Sequence, residues 1–336
     1  IITANTYKDI GRAWINTMLK GNESVETIVS LLNSNSKQEE LITIEDFEFD
    51  KKQIINQIEK FQESCDGLVA IGDKDFPKYR GNVKESERPI FLFYKGEISL
   101  LDIEHSCITV IGLVNPDEKI EIREQKIVAE IIKKDVIIVS GLAFGCDSIA
   151  HKQALIGGKT IAVLPSPLNN IMPAKNKSLA FEIVEEGGLL ITEYYDEHKS
   201  AMDLSSRYKD RDRLQALFCD AIILAASYAQ DTAERWKMFG QKLDSGARLA
   251  MGFAKDYNIP RAVMYDKKLD VDNPMFDLNR QLIAEQKDIT ILTQKSLEEL
   301  ISKVKSKNEI NNKKDAFQPD LFGWKLAEKT TPAPNS

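Results

Sequence analysis

Short apolar runs alternate with amphipathic segments between residues 108 and 292, and no other feature of the 336-residue sequence constrains the fold as strongly. Continuous apolar runs, unlike alternating ones, are typical of strands that are buried on both faces. Between these runs, apolar residues recur at helical spacing, as at residues 121–134. The sequence therefore predicts an α/β protein with a doubly wound, mostly parallel sheet. The predicted strands are residues 108–111, 136–139, 160–164, 189–192, 221–225, 262–265 and 289–292.

The segments on either side of this region differ from it in pattern. Residues 1–66 carry apolar side chains at helical spacing and predict a small N-terminal helical domain. Residues 307–336 are mostly polar and predict a disordered C-terminal tail. We therefore expect three parts: a helical domain at 1–66, the main α/β domain at 67–306 and the tail at 307–336.

The composition indicates where the protein is located and which kinds of ligand it can bind. The four cysteines form no C-x-x-C pair and the three histidines are scattered, which argues against a structural metal site and indicates reduced thiols. No apolar run is long enough to span a bilayer, and the first residues do not resemble a signal peptide. We expect a cytoplasmic protein that does not associate with a membrane and binds no metal or cofactor. The net charge of −7 argues against indiscriminate nucleic-acid binding, although a local basic groove stays possible.

One strand-to-helix connection carries the chemistry. The predicted strand ending at Val139 is followed by Ser140, Gly141 and Gly145, and a helix is expected to begin near Asp147. Glycine allows close backbone approach, and free backbone amides at a helix N-terminus bind anions. In doubly wound sheets, ligands bind outside the carboxyl ends of the strands. The loop is therefore a candidate phosphate site. The alternative is a plain turn in which Asp147 caps the helix.

The same segment resembles a known family. The sequence S-G-L-A-F-G-C-D-S-I-A-H-K-Q-A-L at 140–155 is similar to the S-G-x-A-x-G-I-D-x-x-A-H-x-x-A-L signature of the DprA/Smf family. Further elements of that family are matched in order, so the resemblance extends over most of the chain. These elements are at residues 75–77, 89–96, 158–164, 173–179 and 187–193.

The resemblance implies an extended Rossmann-like fold that binds single-stranded DNA and is not an enzyme. It also implies a homodimer that helps to load the recombinase RecA in natural transformation, or a related role on a mobile element. Y-K-D-R-D-R at 208–213 is similar to the family's F-P-x-R-N-R element and makes Arg211 and Arg213 the candidate phosphate contacts. Alternatively, these arginines pair with neighbouring aspartates at the surface. The full candidate set is Gly112, Ser140, Gly141, Gly145, Asp147, Lys175, Asn176, Arg211 and Arg213.

The chain departs from the family at the first strand of the main domain. The family has I-V-G-[ST]-R there, whereas this chain has V-I-G-L-V at 110–114, so Val114 stands where an arginine is expected. This loss leaves a second hypothesis open, a Rossmann-like sensor of a nucleotide-derived small molecule. A phosphoribohydrolase ranks last, because its P-G-G-x-G-T-x-x-E motif is not found. His151 could be a general base, but a packing role is favoured since no catalytic partners surround it in the sequence.

The tail contains one further motif. Q-P-D-L-F at 318–322 resembles the short peptides that dock replication proteins onto the bacterial sliding clamp, which makes Gln318, Leu321 and Phe322 candidate partner contacts. The alternative is that these apolar side chains, together with Phe317 and Trp324, pack back onto the main domain.

Overall fold

A nine-stranded sheet runs through the protein in the order β1-β2-β6-β5-β4-β3-β7-β8-β9. The computed structural model describes residues 1–35, 41–240, 243 and 246–315, and for 307–315 the backbone alone. The strands are β1 (Gly67–Ala70), β2 (Phe91–Gly96), β3 (Cys107–Ile111), β4 (Ile137–Ser140), β5 (Thr160–Val163), β6 (Leu189–Thr192), β7 (Ala221–Leu224), β8 (Arg261–Val263) and β9 (Ile289–Ile291).

The seven predicted strands are confirmed, each to within two residues, and they pair in parallel from β6 to β9. The sequence-based prediction missed β1 and β2, which form an antiparallel ribbon on the β6 edge. β2 is partly exposed at its last three residues, so it lacks the continuous burial of β3 to β8. The predicted doubly wound, mostly parallel sheet is thus correct and gains an antiparallel edge.

The helices fill the intervals between the strands and precede β1. The last of them continues to Asp315, so the backbone at 307–315 is helical where the sequence predicted disorder. Short 3-10 turns complete the chain. The helices are α1 (Ile2–Asn5), α2 (Arg12–Met18), α3 (Val25–Asn33), α4 (Ile44–Glu59), α5 (Glu118–Ile132), α6 (Cys146–Ala154), α7 (Lys177–Glu185), α8 (Ala201–Leu217), α9 (Thr232–Arg235), α10 (Gly246–Asp256), α11 (Asp277–Glu285) and α12 (Gln294–Asp315).

Helices cover both faces of the parallel part of the sheet, which explains its continuous apolar strands. Because successive strand residues point to opposite faces, each strand contributes to two cores. One core joins α5, α6 and α12 to the sheet through side chains such as Val128, Ala150 and Leu297. The other joins α8 and α10 to the opposite face through Leu214 and Met251.

The N-terminal helices pack against the sheet. Ile15, Leu32 and Phe61 belong to one buried cluster with Phe91 and Phe93 of β2. Residues 1–66 therefore share a core with the antiparallel ribbon. Within the described residues, no helix is long and apolar enough to cross a membrane.

The sheet order creates a crevice beside β3. The chain leaves β3 toward β4 on one side, whereas β7 lies on the other side, so the connections diverge at the carboxyl end of β3. In open α/β sheets such a point is where ligands bind. The glycine loop between β4 and α6 lies at this edge.

His151 fixes α6 onto the sheet. Its ring is fully buried, and Nδ1 lies 2.7 Å from the Thr160 hydroxyl, which itself donates to the Ile138 carbonyl. Because that hydroxyl gives its hydrogen to Ile138, the ring must donate from Nδ1. Burial, with a smaller contribution from Arg211, lowers the pKa of His151 to about 3.

This burial predicts a pH dependence of stability. The unfolded chain protonates His151 below its ordinary pKa near 6.5 while the folded chain does not, so this contribution is present above pH 6.5 and lost as the pH falls toward 3. We expect His151→Asn, which keeps a donor but cannot titrate, to remove up to about 1.4 kcal/mol per pH unit from the slope of unfolding free energy in that window. Urea unfolding at several pH values measures this slope. The exposed His105→Asn variant is the control, and an unchanged slope in His151→Asn would contradict the assignment.

Candidate functional site

A cavity of about 310 Å³ occupies the crevice at the carboxyl ends of β3 and β4. The β3 end, the loop before α6, one face of α8 and the start of α10 form its walls. The lining side chains combine polar groups, aromatic rings and small residues. They are Ile111, Gly112, Val114, Ala143, Phe144, Asp147, Pro173, Tyr208, Arg211, Asp212, Gln215, Gly246, Ala247 and Ala250.

The loop before α6 needs glycine at two positions. Gly145 has a φ of +68°, and a Cβ there would collide with the Leu113 carbonyl. A Cβ at Gly141 would overlap the Arg211 guanidinium. The loop is tied to the end of β3, because the Cys146 amide donates to the Leu113 carbonyl at 2.9 Å. The glycines thus allow the loop, β3 and α8 to approach one another closely.

A buried ion pair crosses the crevice. Arg211 of α8 places Nη1 3.1 Å from Asp147 Oδ2 of α6 and 3.2 Å from the Gln215 side-chain oxygen. Its Nε lies 3.4 Å from Asp212. Arg211, Asp147 and Asp212 are all buried, so the guanidinium charge is compensated by two carboxylates within the protein. Burial raises the pKa of Asp147, and the neighbouring Arg211 opposes that rise.

Two polar side chains hold the loop from the other side. Asn176 donates to the Leu142 carbonyl at 2.7 Å and to the Ser148 hydroxyl at 2.9 Å. Ser140 is fully buried, and its hydroxyl donates to the Val110 carbonyl at 2.7 Å. Both residues therefore shape the loop. Lys175 does not line the cavity, but it is exposed and follows the cavity-lining Pro173 by two residues in the chain.

Most of the candidate residues from the sequence meet at this crevice, but Arg213 does not. Its side chain is 2% exposed and forms a close ion pair with Glu193 and a bond to the Glu87 carbonyl. Arg12 of α2 lies 3.5 Å from the same Glu193 carboxylate. The expected phosphate contact by Arg213 is therefore corrected to a packing role that joins α8 to the N-terminal helices.

The sequence-based prediction missed the apolar mouth of the crevice. Phe144 in the loop is 42% exposed, and Val114, which also lines the cavity, is 44% exposed. Tyr208 of α8 is half-buried in the same lining. Phe144 occupies an unspecified position of the loop motif, so the signal was only that a large aromatic residue stands among small ones.

Two buried titratable groups, His151 and Glu124, lie near the loop, but neither of them lines the cavity. His151 is neutral and enclosed, as described above. Glu124 of α5 is also fully buried, and burial raises its pKa well above the ordinary value. The described part of the chain contains no group of three or more metal-ligating side chains. The crevice therefore offers backbone, aromatic and amide groups for binding, and His151 is not placed to act there as a base.

The chain matches the family described as DNA recombination-mediator protein A over residues 67–233, which contains the β3–α6 region and α8. The DNA processing protein DprA of Streptococcus pneumoniae is 29% identical over 180 residues, which cover 53% of this chain and 59% of that protein. The chain spans between half and two thirds of the length of the first curated relatives that it matches.

Solved structures have the same fold. The X-ray structure of DprA from Streptococcus pneumoniae superposes with a TM-score of 0.61 at 23% identity and covers 82% of this chain and 87% of that one. DprA from Helicobacter pylori, whose structure concerns its mode of binding single-stranded DNA, gives a TM-score of 0.52 at 23% identity and covers 70% and 99%. These likenesses support the predicted Rossmann-like fold.

The position of Arg213 predicts a loss of stability on substitution. Arg213→Ala leaves Glu193 buried with one remaining partner, so we expect the free energy of unfolding to fall by about 3 kcal/mol. Chemical denaturation measures the change. The exposed Arg248→Ala is the matched control and should stay within about 0.5 kcal/mol of the wild type. An Arg213→Ala protein as stable as the wild type would show that this arginine is free to serve a ligand.

Proposed function

Because this chain belongs to the DprA/Smf family, we propose that it binds single-stranded DNA in the crevice beside β3. The observation that carries the proposal is the exposed ring of Phe144, which stands on the glycine loop at the mouth of the crevice. Unpaired bases stack on exposed aromatic side chains, and this stacking requires no particular sequence. The process served is DNA processing in transformation, or a related role on a mobile element.

The charge contacts differ from those expected. Arg211 is compensated by Asp147 and Asp212, and Val114 replaces the arginine of the family motif. We assign the phosphate contact to the backbone of the loop and to the exposed Lys175, which follows the cavity-lining Pro173 by two residues. Gly112, Ser140, Gly141, Gly145, Asp147, Asn176 and Arg211 then build the walls of the crevice.

The proposed activity is binding rather than catalysis. The described lining of the crevice holds Asp147 and Asp212 in ion pairs with Arg211, and the nearby His151 is enclosed behind the loop. Loading of RecA onto the bound strand and assembly as a homodimer are part of the same proposal, and their support is the family resemblance.

A second function, sensing of a nucleotide-derived small molecule, is favoured by one observation. The cavity of about 310 Å³ combines one guanidinium with two carboxylates, an arrangement better suited to a single small polar ligand than to a run of phosphates. Thermal stabilisation by a mononucleotide, without stabilisation by an oligonucleotide, would select this function.

The proposal predicts different defects for the two contact residues. Phe144→Ala should weaken binding of a single-stranded oligonucleotide by about 1–3 kcal/mol, because one base loses its stacking partner. Lys175→Ala should reduce the slope of log affinity against log salt by about 0.7, the value for one phosphate contact on a single strand. Fluorescence anisotropy across a salt series measures both quantities.

Phe181→Ala and Lys152→Ala are the matched controls, since Phe181 is also 42% exposed and Lys152 is exposed, and neither lines the cavity. Both should bind as the wild type does. Wild-type affinity in Phe144→Ala, or binding that salt does not weaken, would count against a single-stranded DNA site in this crevice.

We also propose that Gln318, Leu321 and Phe322 dock onto the sliding clamp. These residues lie outside the described part of the chain, and the support is the resemblance of the Q-P-D-L-F peptide to clamp-binding peptides. Replacing Leu321 and Phe322 by alanine should abolish binding to purified clamp in surface plasmon resonance, because two apolar anchors are lost. Phe317→Ala is the control outside the motif. Equal clamp binding by all three proteins would refute this interpretation.

A further inference from the structure

A second and larger concave surface lies between α5 and α12, away from the crevice. It is a groove of about 1040 Å³, closed below by the ends of β8 and β9. One wall is the outer face of α5 from Arg123 onward together with Lys133 and Lys134 just after the helix, and the other is α12 from Gln294 to Lys305. At 1.5 Å per residue the helical part of the first wall, from Arg123 to Ile132, is about 14 Å long, or two and a half turns.

The two ends of the groove are fixed by polar contacts. At one end Arg123 and Asp270 form a pair of hydrogen bonds of 2.8 and 3.0 Å, which attach α5 to the loop after β8. At the other end the Lys305 ammonium donates to the Lys134 carbonyl at 2.8 Å, which joins α12 to the residues after α5. The groove is therefore a preformed feature between anchored elements.

The floor of the groove is aliphatic and incompletely covered. Ile127, Tyr265 and Leu292 are only partly buried there. Leu269 stands at the rim with 75% of its surface exposed. Leu297 and Ile301 of α12 complete the apolar lining from beneath. Partly exposed apolar side chains in a concave surface with a polar rim are typical of a protein-binding site.

The rim is basic although the chain as a whole is acidic. Five basic residues line the groove against three acidic ones, whereas the net charge of the chain is −7. Arg123 is paired with Asp270 and Lys133 with Glu130. The basic lining residues are Arg123, Lys126, Lys133, Lys134 and Lys305, and the acidic ones are Glu130, Asp266 and Glu298.

We propose that this groove docks an acidic amphipathic helix of a partner protein. Aliphatic side chains at positions i, i+3, i+4 and i+7 of such a helix would cover the floor, and its carboxylates would meet the lysines of the rim. A nucleic-acid strand fits less well, because Tyr265 is the one aromatic residue in the described lining and three carboxylates stand among the lysines. The proposal is independent of DNA binding in the crevice.

The test uses the full chain and a synthetic probe. The probe is a fluorescein-labelled helix of about four turns with leucine on one face and glutamate on the other, and its control has the same composition in scrambled order. We expect saturable binding of the amphipathic peptide in fluorescence anisotropy, and no binding of the scrambled one. The double variant Lys126→Glu/Lys134→Glu should bind about tenfold more weakly or worse, since attraction becomes repulsion at two positions.

Two further variants separate the contributions. Leu269→Asp should also weaken binding of the peptide. Because Leu269 is 75% exposed, we expect no folding defect in this variant. Lys295→Glu is the matched control, because it reverses an exposed charge on α12 outside the groove and should bind as the wild type does. All variants should keep the wild-type melting temperature and the wild-type affinity for single-stranded oligonucleotide.

The outcomes distinguish this site from the crevice. Peptide binding that is unaffected by the Lys126/Lys134 reversal, or no binding at all, overturns the proposal. So does a loss of oligonucleotide binding in that variant while Phe144→Ala binds normally, because the groove would then be the nucleic-acid surface. If Phe144→Ala and Lys175→Ala bind the oligonucleotide as the wild type does while the peptide still binds the groove, the crevice proposal is refuted and the groove proposal is supported.

Discussion

The ion pair between Arg211 and Asp147 is the interaction on which the crevice depends. Arg211 belongs to α8 on one face of the sheet, and Asp147 belongs to α6 on the other, so the pair joins the two helical layers around the carboxyl edge of β4. Gly141 leaves the space through which the guanidinium passes. Removing Arg211 would leave the buried carboxylates of Asp147 and Asp212 without their partner, and breaking a buried ion pair in this way typically costs about 3–5 kcal/mol. Because Asp147 and Asp212 compensate the charge of Arg211 within the protein, this arginine has little charge left to offer a ligand.

Strands β3 to β8 could be predicted because they are buried on both faces, and that burial shows in the sequence as unbroken apolar runs. β1 and β2 could not, since β1 is a partly exposed edge strand and β2 is buried only over its first three residues. The loop from Ser140 to Asp147 was predicted correctly as the connection between β4 and α6. Arg213 was misplaced because residues two apart on a helix point about 200° apart, so Arg211 and Arg213 cannot face the same cleft. Phe144 was missed because exposure is a tertiary property that a motif does not reveal.

The two concave surfaces differ in chemistry, and the sheet explains the difference. The crevice beside β3 is lined by backbone, small residues and compensated charges, because it lies where two connections diverge from buried strands. The groove between α5 and α12 lies on a helical layer. There, apolar side chains that the sheet does not fully cover lie beside the polar outer faces of the two helices. The two surfaces share no lining residue, so a ligand can bind at one of them without occupying the other.

The order of the strands also bears on how the chain can be assembled during synthesis. Six adjacent strands, from β1 at one edge to β3, all lie before residue 193, whereas β7, β8 and β9 follow and are added in sequence order. A nascent chain can therefore complete six contiguous strands of the nine while β3 still presents an unpaired edge. Such an edge invites pairing with another chain until it is covered. The β3 edge accordingly lacks its partner for as long as it takes to synthesise residues 193–224, and β7 closes it.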